Sequence, residues 1–159
     1  MENWFVVNTK PKKEFQVEKL FIAGGIRIYN PKYNDENIIK PFFSGYEFVW
    51  FDYPAQYQLV KYTRGVKKLV GNSEGPISIP ESMIQQIKAR EVNGLIELNK
   101  YGEEPDLGDE IEVMTGTWKG FRGVFERQLT DKDRVVILLN CVSYHGQLII
   151  EKKKLKKVL

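Results

Sequence analysis

Cysteine and histidine are almost missing from this chain. One of each, Cys141 and His145, stands among 159 residues. A lone cysteine excludes an intramolecular disulfide framework. With a lone histidine it also excludes the usual zinc ligand sets, so no metal is expected. Cys141 sits in the apolar run VVILLNCV, where a buried, inert thiol is the default. His145 beside Gly146 reads as a hairpin turn. No apolar run approaches the ~18 residues of a membrane span. The opening MENWFVVNTK has no basic stretch leading into a long apolar one, the pattern of a secretory leader. The expectation is a soluble protein in a reducing, cytoplasmic setting, with no membrane partner. Phosphate loops and dinucleotide fingerprints are also missing. Nothing singles out a carboxylate pair among the 21 acidic residues. No enzyme and no cofactor are expected, and no internal repeat is visible.

What is present is ordinary for a globular chain: 42% apolar and 28% charged residues, balanced to a net +3. That suits one compact domain or two small ones and argues against a disordered tail protein. The charge is uneven. Residues 1–94 carry 13 Lys+Arg against 10 Asp+Glu, while residues 95–159 carry 11 of each. The positive excess therefore lies in the first part. Within the second part, Glu97 to Glu112 is acidic and Lys152 to Lys157 basic, runs whose ordinary reading is solvated surface.

The first part mixes periods. Trp4–Asn8 (WFVVN) is β-branched and aromatic, a strand signal. Pro11 opens a helical pattern with Val17, Leu20 and Phe21 on one face, and Gly24 and Gly25 close it. Ile26–Tyr29 reads as a second strand and Asn34–Asn37 as a polar turn. Gly45–Phe51 is a third strand, with Tyr46, Phe48 and Trp50 on one face and Glu47, Val49 and Phe51 on the other. A short helix is expected over Ala55–Val60 and a fourth strand over Val66–Val70. Ser78 and Glu81 have the spacing of a capping box ahead of a stripe of Met83, Ile84 and Ile87. This order predicts an α+β domain over 1–94, an antiparallel sheet with helices packed on it. The stretch NKYGEEPDL lacks periodicity and reads as part of a linker over 95–106. Beyond it the pattern predicts strands alone: Glu110–Thr115, Gly123–Leu129, Arg134–Val142 and Gln147–Glu151, with a hairpin turn at Asp131-Lys132-Asp133. Such short strands predict a small all-β barrel over 107–159.

The segment Gly108–Val124, GDEIEVMTGTWKGFRGV, is a strand–turn–strand punctuated by Gly116, Gly120 and Gly123. It resembles the KOW motif of NusG-type transcription factors. Three stretches of the first part resemble the NusG N-terminal (NGN) domain: WFVV followed by TKP from Trp4, KPFFSGYEFV from Lys40, and TRGV from Thr63. Together the four run in the family's order over nearly the whole chain. Thr63-Arg64-Gly65-Val66 and Leu138-Leu139-Asn140 are similar to the specialised, RfaH-type members. Cys141 to Gly146 departs from the aromatic-then-Gly-Arg patch that general members present to a ribosomal protein.

The resemblance implies a regulatory activity: binding the clamp helices of bacterial RNA polymerase and altering pausing, termination or antitermination during elongation. On this sequence it points to Tyr46, Phe48 and Trp50 as a polymerase-facing patch, with Asn8 where RfaH-type proteins can add an aromatic. An exposed aromatic patch is a usual mark of an interface. Lys10, Lys12 and Lys13 cluster at the first helix start, and Lys61, Tyr62, Thr63 and Arg64, with Lys67 and Lys68, around the TRGV loop. They are candidates for contact with the non-template DNA strand, by charge and by stacking of Tyr62 or Arg64. Trp118, Lys119, Phe121 and Arg122 decorate the first KOW loop and are candidates for binding a ribosomal protein or RNA. A monomer is expected. The alternative reading is a KOW-bearing RNA-binding or ribosome-associated module.

Overall fold

The computed structural model describes residues 1–98 and 121–158, without the side chains of Arg122 and of 153–158. Two compact units divide the chain: Met1–Val70 with Ser78–Glu97, and Gly71–Ile77 with Leu98–Leu159.

In the first unit, strands β1 (Glu2–Thr9), β2 (Arg27–Tyr29), β5 (Tyr46–Asp52) and β6 (Val66–Leu69) form an antiparallel sheet in the order β2-β5-β1-β6. The numbering leaves room for β3 (Lys32–Asp35) and β4 (Ile38–Pro41), a separate hairpin that the sequence pattern did not foreshadow. Of the expected polar turn over Asn34–Asn37, Asn34 and Asp35 belong to β3 instead, and the turn itself is Glu36 and Asn37. Both take positive φ, as the tight hairpin turn between two strands requires.

The central pairing is β1 with β5. Trp4 faces Trp50, Val6 faces Phe48 and Asn8 faces Tyr46, while Phe5 faces Val49 and Val7 faces Glu47. Alternation then sorts the side chains onto two faces. One face carries Phe5, Val7, Val49 and Phe51. Helix α1 (Glu14–Ala23) packs there through Val17 and Phe21, and α2 (Tyr57–Lys61) through Val60. Leu20, expected in that stripe, is exposed; Glu14 takes the buried place one turn earlier. The other face carries Trp4, Val6, Phe48 and Trp50. Helix α3 (Glu81–Lys88) buries Met83, Ile84 and Ile87. The expected Ser78–Glu81 box does not form. Pro80 is the N-cap, with no side-chain cap bond. Glu81 instead accepts from the Trp4 indole N–H and from Gln85. Two further pairs, β7 (Gly71–Asn72) with β8 (Gly75–Pro76) and β9 (Glu91–Val92) with β10 (Leu95–Ile96), complete the small strands.

The second unit corrects the expected strands. Residues Phe121–Phe125 form a 3-10 turn, and Asp131–Val158 form one helix of 28 residues, α4. No strand lies over 123–129, 134–142 or 147–151, and Asp131 to Asp133 open the helix instead of turning a hairpin. The expected strand over 110–115 lies outside the described residues. The cause is legible afterwards. A continuous apolar run fits a buried strand or a buried helix equally well. Here Arg134, Leu138, Cys141, Val142 and Gly146 are buried, at helical spacing. Phe121, Val124 and Phe125 are buried as well. The Arg134 guanidinium donates to the Leu129 carbonyl and pairs with Asp131. A capping box starts the helix: the Thr130 N–H donates to Asp133 Oδ2 at 3.0 Å and the Asp133 N–H to Thr130 Oγ1 at 3.2 Å. Bonds that Thr130 gives the Asp133 carboxylate, the backbone N–H first, hold that carboxyl below its ordinary range. At Gly146 a Cβ would lie 2.6 Å from Ile77 Cδ1, so the helix packs closely on the residue after β8, and a larger side chain there would require Ile77 to shift.

Thr130→Ala should remove one half of the box and cost about 1 kcal/mol, read as an earlier loss of helical ellipticity on heating. An unchanged melt would show that α4 does not depend on this cap.

Candidate functional site

Two adjacent amides at the end of β1 organise one end of the sheet. The Thr9 N–H donates to the Gly45 carbonyl and the Lys10 N–H to the Gly65 carbonyl, both at 2.8 Å. The first bond fixes the turn that launches Tyr46. The second ties the Lys10–Lys13 turn to the Thr63–Val66 loop. Asn8 reinforces the first, its side-chain amide donating to the Gly45 carbonyl at 2.8 Å. Asn8 is therefore a positioning residue, 9% exposed, and not an outward contact. Gly65 is required where it stands. Its φ is +94°, and a Cβ would lie 2.8 Å from Val17 Cγ2 and 3.5 Å from Lys13 Cβ. The close approach of loop and helix start depends on it.

The basic side chains gathered by this junction are open. Lys10, Lys12, Lys13, Arg64, Lys67 and Lys68 are exposed, and none has an ion-pair partner among the described residues. Tyr62 is 74% exposed. Lys61 is half-buried, its ammonium 5.5 Å from the Tyr57 ring centre and 5.7 Å from that of Tyr62. Thr63 differs from expectation. Its hydroxyl turns back and donates to the Leu59 carbonyl at 2.8 Å, closing α2.

Tyr46, Phe48 and Trp50 do share a face, as the alternation requires, but they are not equally available. Phe48 is fully buried, stacked on Tyr29 at 6.2 Å between ring centres and edge-on to Phe43 at 5.9 Å. Tyr46 and Trp50 are half-buried. Trp50 donates to Glu2 at 3.2 Å and lies edge-on to Trp4 at 5.6 Å. The Arg27 guanidinium sits 4.8 Å from the Trp4 ring and 5.6 Å from Trp50. The expectation of an exposed patch of all three aromatics is thus corrected for Phe48: Phe43 and Tyr29 pack on it, and the Ile79–Glu81 stretch lies against Trp4 on the same face. In the second unit, Phe121 is buried beside Phe125. Trp118 and Lys119 lie outside the described residues, as does the Arg122 side chain.

Glu47 carried no functional reading in the sequence. It alternates with the aromatics of β5 and lies on the α1 side, 0% exposed. Neither carboxylate oxygen has a hydrogen-bond partner. Burial first, then the Glu18 and Glu14 carboxylates, push its carboxyl up to about 9, with Lys32 opposing. A glutamate between positions whose two faces are both apolar was the available signal. Burial also pushes the Cys141 thiol up to about 11, in keeping with an inert thiol. Among the described residues no cluster of three or more His, Cys, Asp or Glu is placed to hold a metal ion. None of their helices is long and apolar enough to cross a membrane.

Residues 2–88, which cover most of the first unit, match the family model described as transcription termination factor nusG. The chain is therefore a transcription termination and elongation factor by class, and it belongs to the NusG family. A solved structure of the NusG of Thermotoga maritima, described as "Domain interaction in Thermotoga maritima NusG", is similar at 23% identity and a TM-score of 0.46. The likeness covers 68% of this chain and 67% of that one. Comparison with curated proteins gives no match.

Gly65→Ala should destabilise the first unit by more than about 1 kcal/mol, because alanine is strained at positive φ and its methyl meets Val17. Urea unfolding measures this; an unchanged midpoint would show that the loop junction yields freely.

Proposed function

We propose that this protein is an RfaH-type elongation or antitermination factor that binds the clamp helices of bacterial RNA polymerase and touches the non-template DNA strand. One observation carries the reading: the consecutive amides of Thr9, at the end of β1, and Lys10, just beyond it, hold the Tyr46 turn and the Arg64 loop at the same end of the sheet. A protein surface and a basic surface are thereby joined with fixed spacing. Tyr46 and Trp50 make the polymerase contact, Phe48 supports them from below, and Asn8 sets the turn. Lys10, Lys12, Lys13, Lys61 and Arg64 neutralise phosphates, which gives salt-dependent affinity without base specificity. Tyr62 offers a ring for an unpaired base. Thr63 acts by closing α2. Nothing in this arrangement calls for catalysis; binding alone would alter pausing.

The KOW resemblance of 108–124 supports a second role, recruitment of a ribosomal protein or RNA through Trp118, Lys119 and Arg122. Phe121 belongs to the packing rather than the contact. Circular dichroism of residues 107–159 alone checks the KOW assignment: a strand-rich spectrum supports it and a helical one removes it.

The deciding experiment is a native-gel shift of a reconstituted bacterial elongation complex, with a full bubble and with one lacking the non-template strand. The full bubble should shift at lower protein concentration. Tyr46→Ala should weaken both shifts about tenfold or more, the scale of an interface anchor. Lys10→Glu with Arg64→Glu should abolish only the advantage of the full bubble. No shift on either scaffold by folded protein would defeat the proposal in favour of the RNA or ribosome reading.

A further inference from the structure

We propose that Glu47 is a proton latch, a buried carboxyl that the core at the start of β5 accepts while neutral and that loosens this part of the first unit on ionising. The argument begins with position. Glu47 pairs across the sheet with Val7. It shares a face with Val49 and Phe51, which lie in the core beneath α1. An ionised carboxylate there has lost its water and gained no donor, a state a protein interior does not tolerate. The charged groups facing it make matters worse. From α1 come Glu14 and Glu18, and from β3 comes Lys32. Each of the nearer acceptors is already engaged. Glu14 accepts the Gly45 N–H at 3.0 Å, and Glu18 takes the Lys32 ammonium at 2.9 Å and the Asn30 amide at 3.3 Å. The single ammonium is committed to Glu18, so a second and third negative charge would stand uncompensated. Keeping a proton on Glu47 is the arrangement that leaves the other bonds intact.

The location gives the latch its consequence. Glu47 lies two residues after Gly45, the residue that both Thr9 and Asn8 hold by hydrogen bonds. Ionisation therefore acts on the short span that carries the β1 junction. The sign follows from the raised carboxyl. The native state keeps a proton that the unfolded chain gives up near 4.5. Relative to a neutral side chain at this position, stability is highest below that value and falls as pH rises to about 9. The fall is about tenfold in the folding equilibrium constant per pH unit, the slope of one proton. Insofar as Tyr46 and Trp50 form the polymerase face, a bound on that face's alkaline range rests on the function proposed above. The latch itself does not.

The test uses the full chain and needs no polymerase. Urea unfolding from pH 5 to 10 compares wild type with Glu47→Gln, which keeps the shape and cannot ionise. Lysine, tyrosine and cysteine titrations are common to both and cancel in the difference. The expected result is a widening gap in favour of Glu47→Gln that levels off near pH 9. The side-chain carboxyl carbon of Glu47, followed by carbon-13 NMR in the wild type, should still report the protonated acid at pH 7, when exposed glutamates have ionised. Parallel unfolding curves, or a Glu47 carbon that titrates with the exposed glutamates below pH 5, would overturn the latch. Should Glu47→Gln fail to fold, the carbon-13 titration of the wild type decides alone.

Discussion

The register between β1 and β5 is the constraint on which the first unit depends. Once Trp4 faces Trp50 and Val7 faces Glu47, every neighbouring side chain is assigned a face, because a slip of one residue would exchange the faces wholesale. With this register, Phe5, Val7, Val49 and Phe51 meet Val17, Phe21 and Val60. The aromatics of the other face meet Phe43, Tyr29 and the approach to α3. Large apolar groups at both faces leave the sheet no alternative pairing of comparable burial. The same register places Glu47 in the core, so the pairing that builds the interior also brings in a carboxyl with no hydrogen-bond partner.

The arrangement at one end of the sheet follows from where β1 stops. The amide of Thr9, its last residue, and that of Lys10 just beyond it find the carbonyls of Gly45 and Gly65. Buried backbone donors must be satisfied, and here that requirement sets the distance between an aromatic turn and a basic loop. Gly65 permits the contact by its positive φ and its lack of a side chain. The side chains of Lys10, Lys12, Lys13 and Arg64 take no part in these bonds and remain exposed.

Much of this was legible. WFVVN, the Val17–Phe21 spacing, the alternating YEFVWF strand and the Met83–Ile87 stripe all carry strong periods, and each became the element it suggested. Boundaries moved by one to three residues at α1 and α2 because Pro11 and Pro54 sit in turns that precede these helices. The β3–β4 hairpin was missed because KYND and IIKP are short and only half buried. In the candidate site, the residues were identified but not their employment. Asn8 and Thr63 are spent on backbone bonds, and Phe48 is spent on packing.

The sequence by itself determined the elements whose hydrophobic period has a single solution, together with the basic composition of two segments and the family motifs. Tertiary structure alone decided the rest. It set which basic turns meet, since that depends on the hydrogen bond between Lys10 and Gly65, far apart in the chain. It left Glu47 without a partner, since burial on one side of a strand depends on what packs there. It also settled the conformation of 131–158. The run RVVILLNCV is apolar enough to satisfy either a strand or a helix, so local preference does not discriminate between them. The capping box at Thr130 and the Arg134 bonds to Leu129 and Asp131 are local and favour the helix; the packing of Ile77 against Gly146 joins residues far apart in the chain and exists only once it has folded.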